Sequence, residues 1–238
     1  MRHYVITGAG SGIGRAVAER LHARGDALYL LARSADSAET LAKLFPGART
    51  IRADLADPGT LAEGVSACEL PERIDGVLHV AGALCLGKVA DLTLDAWRTS
   101  LTVNLTAPAE LTRLLLPRLR HVGGHVVFVN STSGLKTQGE WAAYSASKYG
   151  LRALADALRD EEGGTGLRVT TVYPGRTATP MQETVHRHEG RAYESGRWID
   201  PSTVAGAVVA ALDLPADAEI SDITVRPGPG RPAVASDS

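Results

Sequence analysis

The sequence predicts an α/β protein: one open, doubly wound, mostly parallel sheet of seven strands with helices on both faces. Three observations predict it. Short apolar runs alternate with amphipathic stretches along the whole chain, which implies parallel strands joined by right-handed helical crossovers. A glycine-rich turn stands between the first run and the first amphipathic stretch. The chain has 238 residues, 44% hydrophobic and 22% charged, enough to bury one full core without disulfides or metals.

Taken in order, residues 3–7 form a short β run. Residues 8–14 are glycine-rich, and 15–23 have helical character, with Gly25 just past the helix end, where a left-handed conformation is favoured. Residues 27–32 are apolar and short, as a buried parallel strand is. Residues 37–44 read as a helix stopped by Pro46 and Gly47, 49–53 as a strand, and 58–68 as a helix with Pro58 near its first turn. Residues 74–81 are the fourth strand. The leucine-rich stretch 93–120 reads as one long helix with Pro108 and Pro117 as candidate kinks, ended by Gly123 and Gly124. Residues 125–130 are a strand, and 141–161 a second long helix ended by Gly163 and Gly164. Residues 167–173 are a strand cut by Pro174 and Gly175, 201–212 a helix, and 219–226 the last strand. Residues 1–226 thus form a single domain. The polar segment 180–200 is expected to insert over the sheet edge as a substrate flap, with Met181, Tyr193 and Trp198 as apolar wall candidates, or else to be an ordinary surface helix. Residues 227–238 hold Pro, Gly, Ala and Ser with little to bury, and are expected to be a loose tail.

Composition excludes several classes. A net charge of −2 offers no basic field to nucleic acid or to an anionic membrane. No apolar run approaches the roughly 18 residues that span a bilayer. Cys68 and Cys85 lack metal spacing and read as reduced thiols, and Met1 runs straight into a strand, so a cytoplasmic location is expected. His186 and His188 have no placed carboxylates beside them, so no metal site is expected.

The glycine-rich turn carries the first functional signal. Gly8, Gly12 and Gly14 allow a tight turn and close approach to a diphosphate, and the following helix offers free N–H groups and a positive dipole end. The usual G-x-G-x-x-G register fails, because Ile13 stands where its last glycine would fall. The spacing is instead Thr7-Gly8, three residues, then Gly12-Ile13-Gly14. With Tyr144-Ser145-Ala146-Ser147-Lys148 and Pro174-Gly175-Arg176-Thr177-Ala178-Thr179, the chain resembles the short-chain dehydrogenase/reductase family over residues 3–226. The resemblance implies a Rossmann-type fold, a nicotinamide dinucleotide, a small carbonyl or alcohol substrate, and assembly as a homodimer or homotetramer. The leucine-rich helix from Thr93 and the helix bearing Tyr144 are the pairing surfaces it suggests.

The second strand ends Ala32-Arg33-Ser34. An NAD site places a carboxylate near this strand end, whereas the Arg33 guanidinium suits a 2′-phosphate. NADP(H) is therefore favoured over NAD(H), with Ser34 and Ser11 as added hydroxyl donors. Asp36 and Glu39 nearby weigh against it, and a solvated Arg33 is the competing reading. By resemblance, Asp54 and Leu55 border the adenine, although Asp54 could equally cap a helix. Ala81 and Gly82 match the family's close backbone approach, while His79-Val80 replace its paired asparagines; His79 is read as a satisfied core histidine or an alternative brace.

Tyr144 and Lys148 stand four apart on a predicted helix and share one face. A phenol near pKa 10 is a poor base, and a neighbouring ammonium lowers that pKa. Ser131 follows the fifth strand and, in the family register, would hold the substrate oxygen; a serine turn cap is the alternative. The resemblance makes Asn104 the fourth catalytic member, with a freed backbone carbonyl that could hold a relay water, against a purely structural role. It also brings Pro174, Gly175, Thr177 and Thr179 to the nicotinamide carboxamide, Thr177 standing where the family often has an aliphatic residue. The rival class is an NADP(H)-binding sensor without turnover, which predicts a broken catalytic set.

Overall fold

The computed structural model describes residues 1–228. It contains a seven-stranded parallel sheet in the order β3-β2-β1-β4-β5-β6-β7. The elements are β1 (His3–Thr7), α1 (Gly12–Ala23), β2 (Ala27–Ala32), α2 (Ala35–Leu44), β3 (Arg49–Arg52), α3 (Thr60–Ala67), β4 (Gly76–His79), α4 (Leu94–Leu101), α5 (Ala107–Arg120), β5 (His125–Val129), α6 (Ala142–Glu162), β6 (Arg168–Pro174), α7 (Pro180–His188), α8 (Pro201–Leu212) and β7 (Asp222–Val225). The expected tail lies, from residue 229 onward, outside the described residues.

Successive strand residues face opposite sides of a pleated sheet, so each central strand feeds two cores. Tyr4, Ile6, Leu28 and Leu30 point to one face and pack with Val17 and Leu21 of α1, Leu41 of α2 and Val204 and Val208 of α8. Val5, Tyr29, Leu31 and Val77 point to the other and pack with Leu61 of α3, Leu111, Leu115 and Leu119 of α5 and Leu151 and Leu158 of α6. Burial on both faces explains why these strands read as unbroken apolar runs rather than as alternating patterns.

The chain winds outward from β1 to β3, then returns to place β4 on the other side of β1. The reversal opens a crevice at the carboxyl ends of β1 and β4, where an open α/β sheet takes its ligands. β4 is shorter than its apolar run because the N–H groups of Val80 and Ala81 leave the ladder and donate to the Thr7 hydroxyl at 3.0 and 3.1 Å. That turns the backbone after β4 toward the crevice.

The expected single helix over 93–120 is two helices. Between α4 and α5, residues Thr102–Thr106 form a π-helical turn. Pro108 has no N–H to give the Asn104 carbonyl four residues earlier, and its ring crowds that carbonyl, so α-helical pairing fails one turn before the proline. Pro117 sits inside α5 without ending it. The segment read as a flap or a surface helix holds a regular helix, α7, with Pro180 in its first turn and Thr179 capping it through a bond from the Gln182 N–H.

Candidate active site

A cleft of about 430 Å³ opens at the carboxyl end of the sheet. Gly8, Ser11, Gly12, Ile13 and Gly14 form one wall; Ala81, Gly82, Ser131, Tyr144, Lys148, Pro174, Gly175, Thr177 and Thr179 complete it. A second hollow of about 540 Å³ continues past Gly8, Ala81 and Gly82 and is lined by Arg33, Asp54 and Leu55. The expected site residues therefore gather along one crevice, with two exceptions. Ser34 is spent on α2: its hydroxyl accepts from the Ser37 N–H at 3.2 Å in a capping box, so it lines neither hollow. Asn104 is buried behind the wall rather than in it.

The glycine loop is shaped for a diphosphate. A Cβ on Gly14 would lie 2.1 Å from the Gly8 carbonyl oxygen, and one on Gly8, where φ is +76°, 2.8 Å from the Ala81 nitrogen. Only glycine lets α1, the loop and the turn after β4 approach this closely. Ser11, in extended conformation at the N-cap, makes no side-chain cap bond, and the first turn of α1 holds no acid. The positive end of α1 thus faces the cleft uncompensated, as a phosphate site requires. These observations fit a nicotinamide dinucleotide. Its adenosine end would lie in the second hollow, where Arg33 is exposed and Ser37 and Thr40, which sequence reasoning missed, form the wall. Asp54 lies on that wall and accepts from the Ala56 N–H at 2.9 Å in a local turn; the N-cap of α3 is Gly59, so the helix-capping alternative does not apply.

Around the cleft floor the side chains are held tightly. Tyr144 is buried, its ring edge-on to Trp141 at 5.8 Å. Lys148 is buried one turn later; its Nζ donates to the Val129 carbonyl at 3.1 Å and lies 5.8 Å from the centre of the Tyr144 ring. Burial lowers the Lys148 amine to about 8. The Tyr144 phenol behaves differently from expectation. Burial pushes its pKa above the ordinary value, and the Ser131 hydroxyl beside it pulls back only part of the way. In the chain alone the cation lies against a carbonyl and the phenol stays protonated. Ser131 caps a short 3₁₀ turn, accepting from the Ser133 N–H at 3.1 Å, so its turn-capping and its placement in the cleft coexist.

Asn104 joins three elements. Its Oδ1 accepts from the Ala83 N–H at 2.8 Å, and its Nδ2 donates to the Ala83 carbonyl and to the Ser147 hydroxyl, both at 2.9 Å. The π turn therefore clamps the strand-end loop against α6 between Tyr144 and Lys148. Of the three apolar wall candidates Met181, Tyr193 and Trp198, Met181 alone reaches the cleft. Tyr193 and Trp198 instead pack edge-on against the buried His186 ring at 5.3 and 5.2 Å, which gathers the aromatics of that segment away from the cleft. The outer wall comes from residues the sequence did not single out, Lys136, Gln138, Trp141 and Gln182. Among the described residues no group of three or more His, Cys, Asp or Glu side chains could hold a metal, and no helix is long and apolar enough to cross a membrane.

Comparison with known proteins bears on this crevice. The short chain dehydrogenase family model matches residues 2–190. The chain belongs to that family. An uncharacterized oxidoreductase of Staphylococcus epidermidis is 30% identical over 226 residues, covering 94% of this chain and 96% of that one. Among solved structures, an alcohol dehydrogenase from the archaeon Thermococcus sibiricus, complexed with 5-hydroxy-NADP, superposes with a TM-score of 0.84 at 26% identity, covering 98% of this chain and 99% of that one. An actinorhodin polyketide ketoreductase with NADPH gives 0.86 at 28% identity, covering 96% and 97%. This short-chain dehydrogenase is thus an oxidoreductase with a Rossmann-type sheet. Its departure at His79-Val80 has a structural counterpart. The His79 ring stacks on Phe128 at 5.0 Å and its Nε2 meets the Thr112 hydroxyl at 2.8 Å, tying β4 to β5 and α5.

Proposed function

We propose that this short-chain dehydrogenase interconverts a carbonyl compound and its secondary alcohol with NADP(H), using Tyr144 as general acid in reduction and as general base in oxidation. One observation carries the reading: Ser131, Tyr144 and Lys148 converge on the floor of the cleft whose wall is the glycine loop. The nicotinamide, when bound, supplies or takes the hydride, which carries both electrons. The chain's own residues manage the proton. The Tyr144 O–H gives its proton to the oxygen that becomes the alcohol, and solvent restores it to the phenolate. A phenol kept protonated by burial suits that donor role. Ser131 polarises the same oxygen as charge develops on it. Lys148, still largely cationic at neutral pH, stabilises the phenolate left behind. Asn104 positions the loop at Ala83 and the start of the Lys148 turn, and its backbone carbonyl, denied a Pro108 N–H, is the position we propose for a relay water.

Arg33, exposed at the second hollow with no carboxylate in the preceding position, supports NADP(H) over NAD(H). The NADP-type ligands of the archaeal alcohol dehydrogenase and of the ketoreductase support it further. The same reading takes residues 1–226 as one catalytic unit in the cytoplasm, with α7 as the substrate flap. It takes the exposed Leu94 and Leu101 of α4 and Tyr149 of α6 as the surface through which copies pair. The test is NADPH oxidation over a panel of ketones and aldehydes. Wild type turns over and Tyr144→Phe loses at least about a hundredfold, the lower range for a proton donor in position. Equal rates in both proteins remove Tyr144 from the chemistry, and NADPH binding without turnover of any carbonyl favours the sensor alternative.

A further inference from the structure

The lining of the cleft contains three cations, Lys136, Lys148 and Arg176, and no Asp or Glu. Two of the three are already engaged. Lys148 is buried and bonded to the Val129 carbonyl. Arg176 is paired with Glu189 through both guanidinium ends and lies 5.3 Å over the Trp198 ring. Lys136 is exposed and forms no ion pair among the described residues; Glu140, on the same loop, is instead bridged to His188 at 3.1 Å. One positive charge at the cleft mouth is therefore left without a counter-charge.

Its position relative to the reacting centre is set by the fold. The Lys136 N–H donates to the Thr132 carbonyl at 3.0 Å, one residue past Ser131. The loop is then fastened to α6 at two points past Tyr144, through Ser145 and Tyr149. Thr137 donates to the Ser145 hydroxyl at 2.9 Å, and the Tyr149 hydroxyl donates to the Leu135 carbonyl at 2.7 Å. The root of Lys136 is thus tied to the strand-end serine and to the helix that carries the tyrosine. Between them the wall is Trp141, Gln138 and Met181: an aromatic face, an amide and a thioether.

We propose that the substrate is an oxo acid or hydroxy acid whose carboxylate pairs with Lys136 while its carbonyl or carbinol carbon lies at Tyr144. The proposal rests on the reading of this cleft as a carbonyl-reducing site, and the chemistry is the same. Hydride and the Tyr144 proton add across C=O, and the carboxylate is unchanged. A single uncompensated ammonium with a flanking amide matches one negative charge; a phosphate dianion takes more donors than this mouth supplies. The aliphatic body of the substrate lies against Trp141 and Met181. Lys136 is a specificity residue that contacts substrate without taking part in bond making.

The experiment compares oxo acids of four to seven carbons with their methyl esters, using NADPH, in wild type, Lys136→Met and Lys136→Arg. Wild type is expected to favour at least one acid over its ester about tenfold in kcat/KM, an ion pair strengthened as substrate excludes water. The acid-to-ester ratio falls close to one in Lys136→Met, through KM for the acid, and recovers in Lys136→Arg. Added salt lowers the wild-type ratio and leaves the Lys136→Met ratio level. Esters used as well as acids by wild type, or a ratio unmoved by Lys136→Met, overturns this substrate class while leaving the dehydrogenase reading in place. NADPH binding with no carbonyl of any kind reduced overturns both.

Discussion

Two buried histidines make the stability of this protein steeply dependent on mildly acidic pH. His79 is wholly enclosed between Phe128 and Thr112, and His125 lies with its Nε2 2.8 Å from the Thr170 hydroxyl. Burial alone lowers His79 from the ordinary 6.5 to about 3; for His125 burial comes first, the Arg168 charge adds to it, and the value is again about 3. Both folded values lie below the unfolded one, so the fold prefers the neutral rings. Their contribution is fully present above pH 6.5 and is lost as pH falls toward 3. At pH 5 the unfolded state has taken up nearly one proton per ring and the folded state almost none. That costs about 2 kcal/mol per histidine, or about 4 kcal/mol for the pair, a large fraction of a typical 5–15 kcal/mol. The depressed carboxyls of Glu162 and Glu189 act in a different window, since their contribution is lost only as pH falls below the usual carboxylate range. Urea unfolding at intervals between pH 7.5 and 5 measures the effect, with the melting temperature falling by on the order of 10 °C over the same range. His79→Gln and His125→Gln each lower absolute stability but remove about half of the slope. A flat profile in wild type, or a slope untouched by both substitutions, refutes the reasoning.

The remaining predictions concern the crevice. Gly14→Ala places a methyl against the backbone of Gly8, which cannot yield as a side chain can; unfolding free energy drops by about 1–3 kcal/mol and NADPH fluorescence titration shows weaker binding. Arg33→Ala raises KM for NADPH by about tenfold and leaves KM for NADH within about twofold, since only the phosphate-bearing cofactor engages the guanidinium; tighter use of NADH by wild type would overturn the cofactor preference. Carbonyl reduction falls as pH rises through about 8, where the buried Lys148 loses its proton. In kcat/KM profiles from pH 6 to 10 that limb is absent in Lys148→Met, and its survival there would assign it to another group.

Much of this molecule can be read without coordinates because the features concerned are local. The period of the apolar runs, Gly14 where α1 crosses the first turn, and the spacing of Tyr144 and Lys148 along one helix face all follow from backbone geometry over a few residues. Other features depend on what arrives from elsewhere in the chain. Ser34 is a good phosphate donor in isolation, yet Ser37 claims it for the cap of α2. Tyr193 and Trp198 are apolar enough to wall a pocket, but His186 gathers them away from it. The charge of Tyr144 could not be judged from its neighbour in sequence, because burial among distant segments raises the phenol while the lysine one turn away is bonded to the Val129 carbonyl. Propensity and spacing act over a turn of helix, whereas desolvation and competition for hydrogen bonds are set by segments brought together only when the sheet closes.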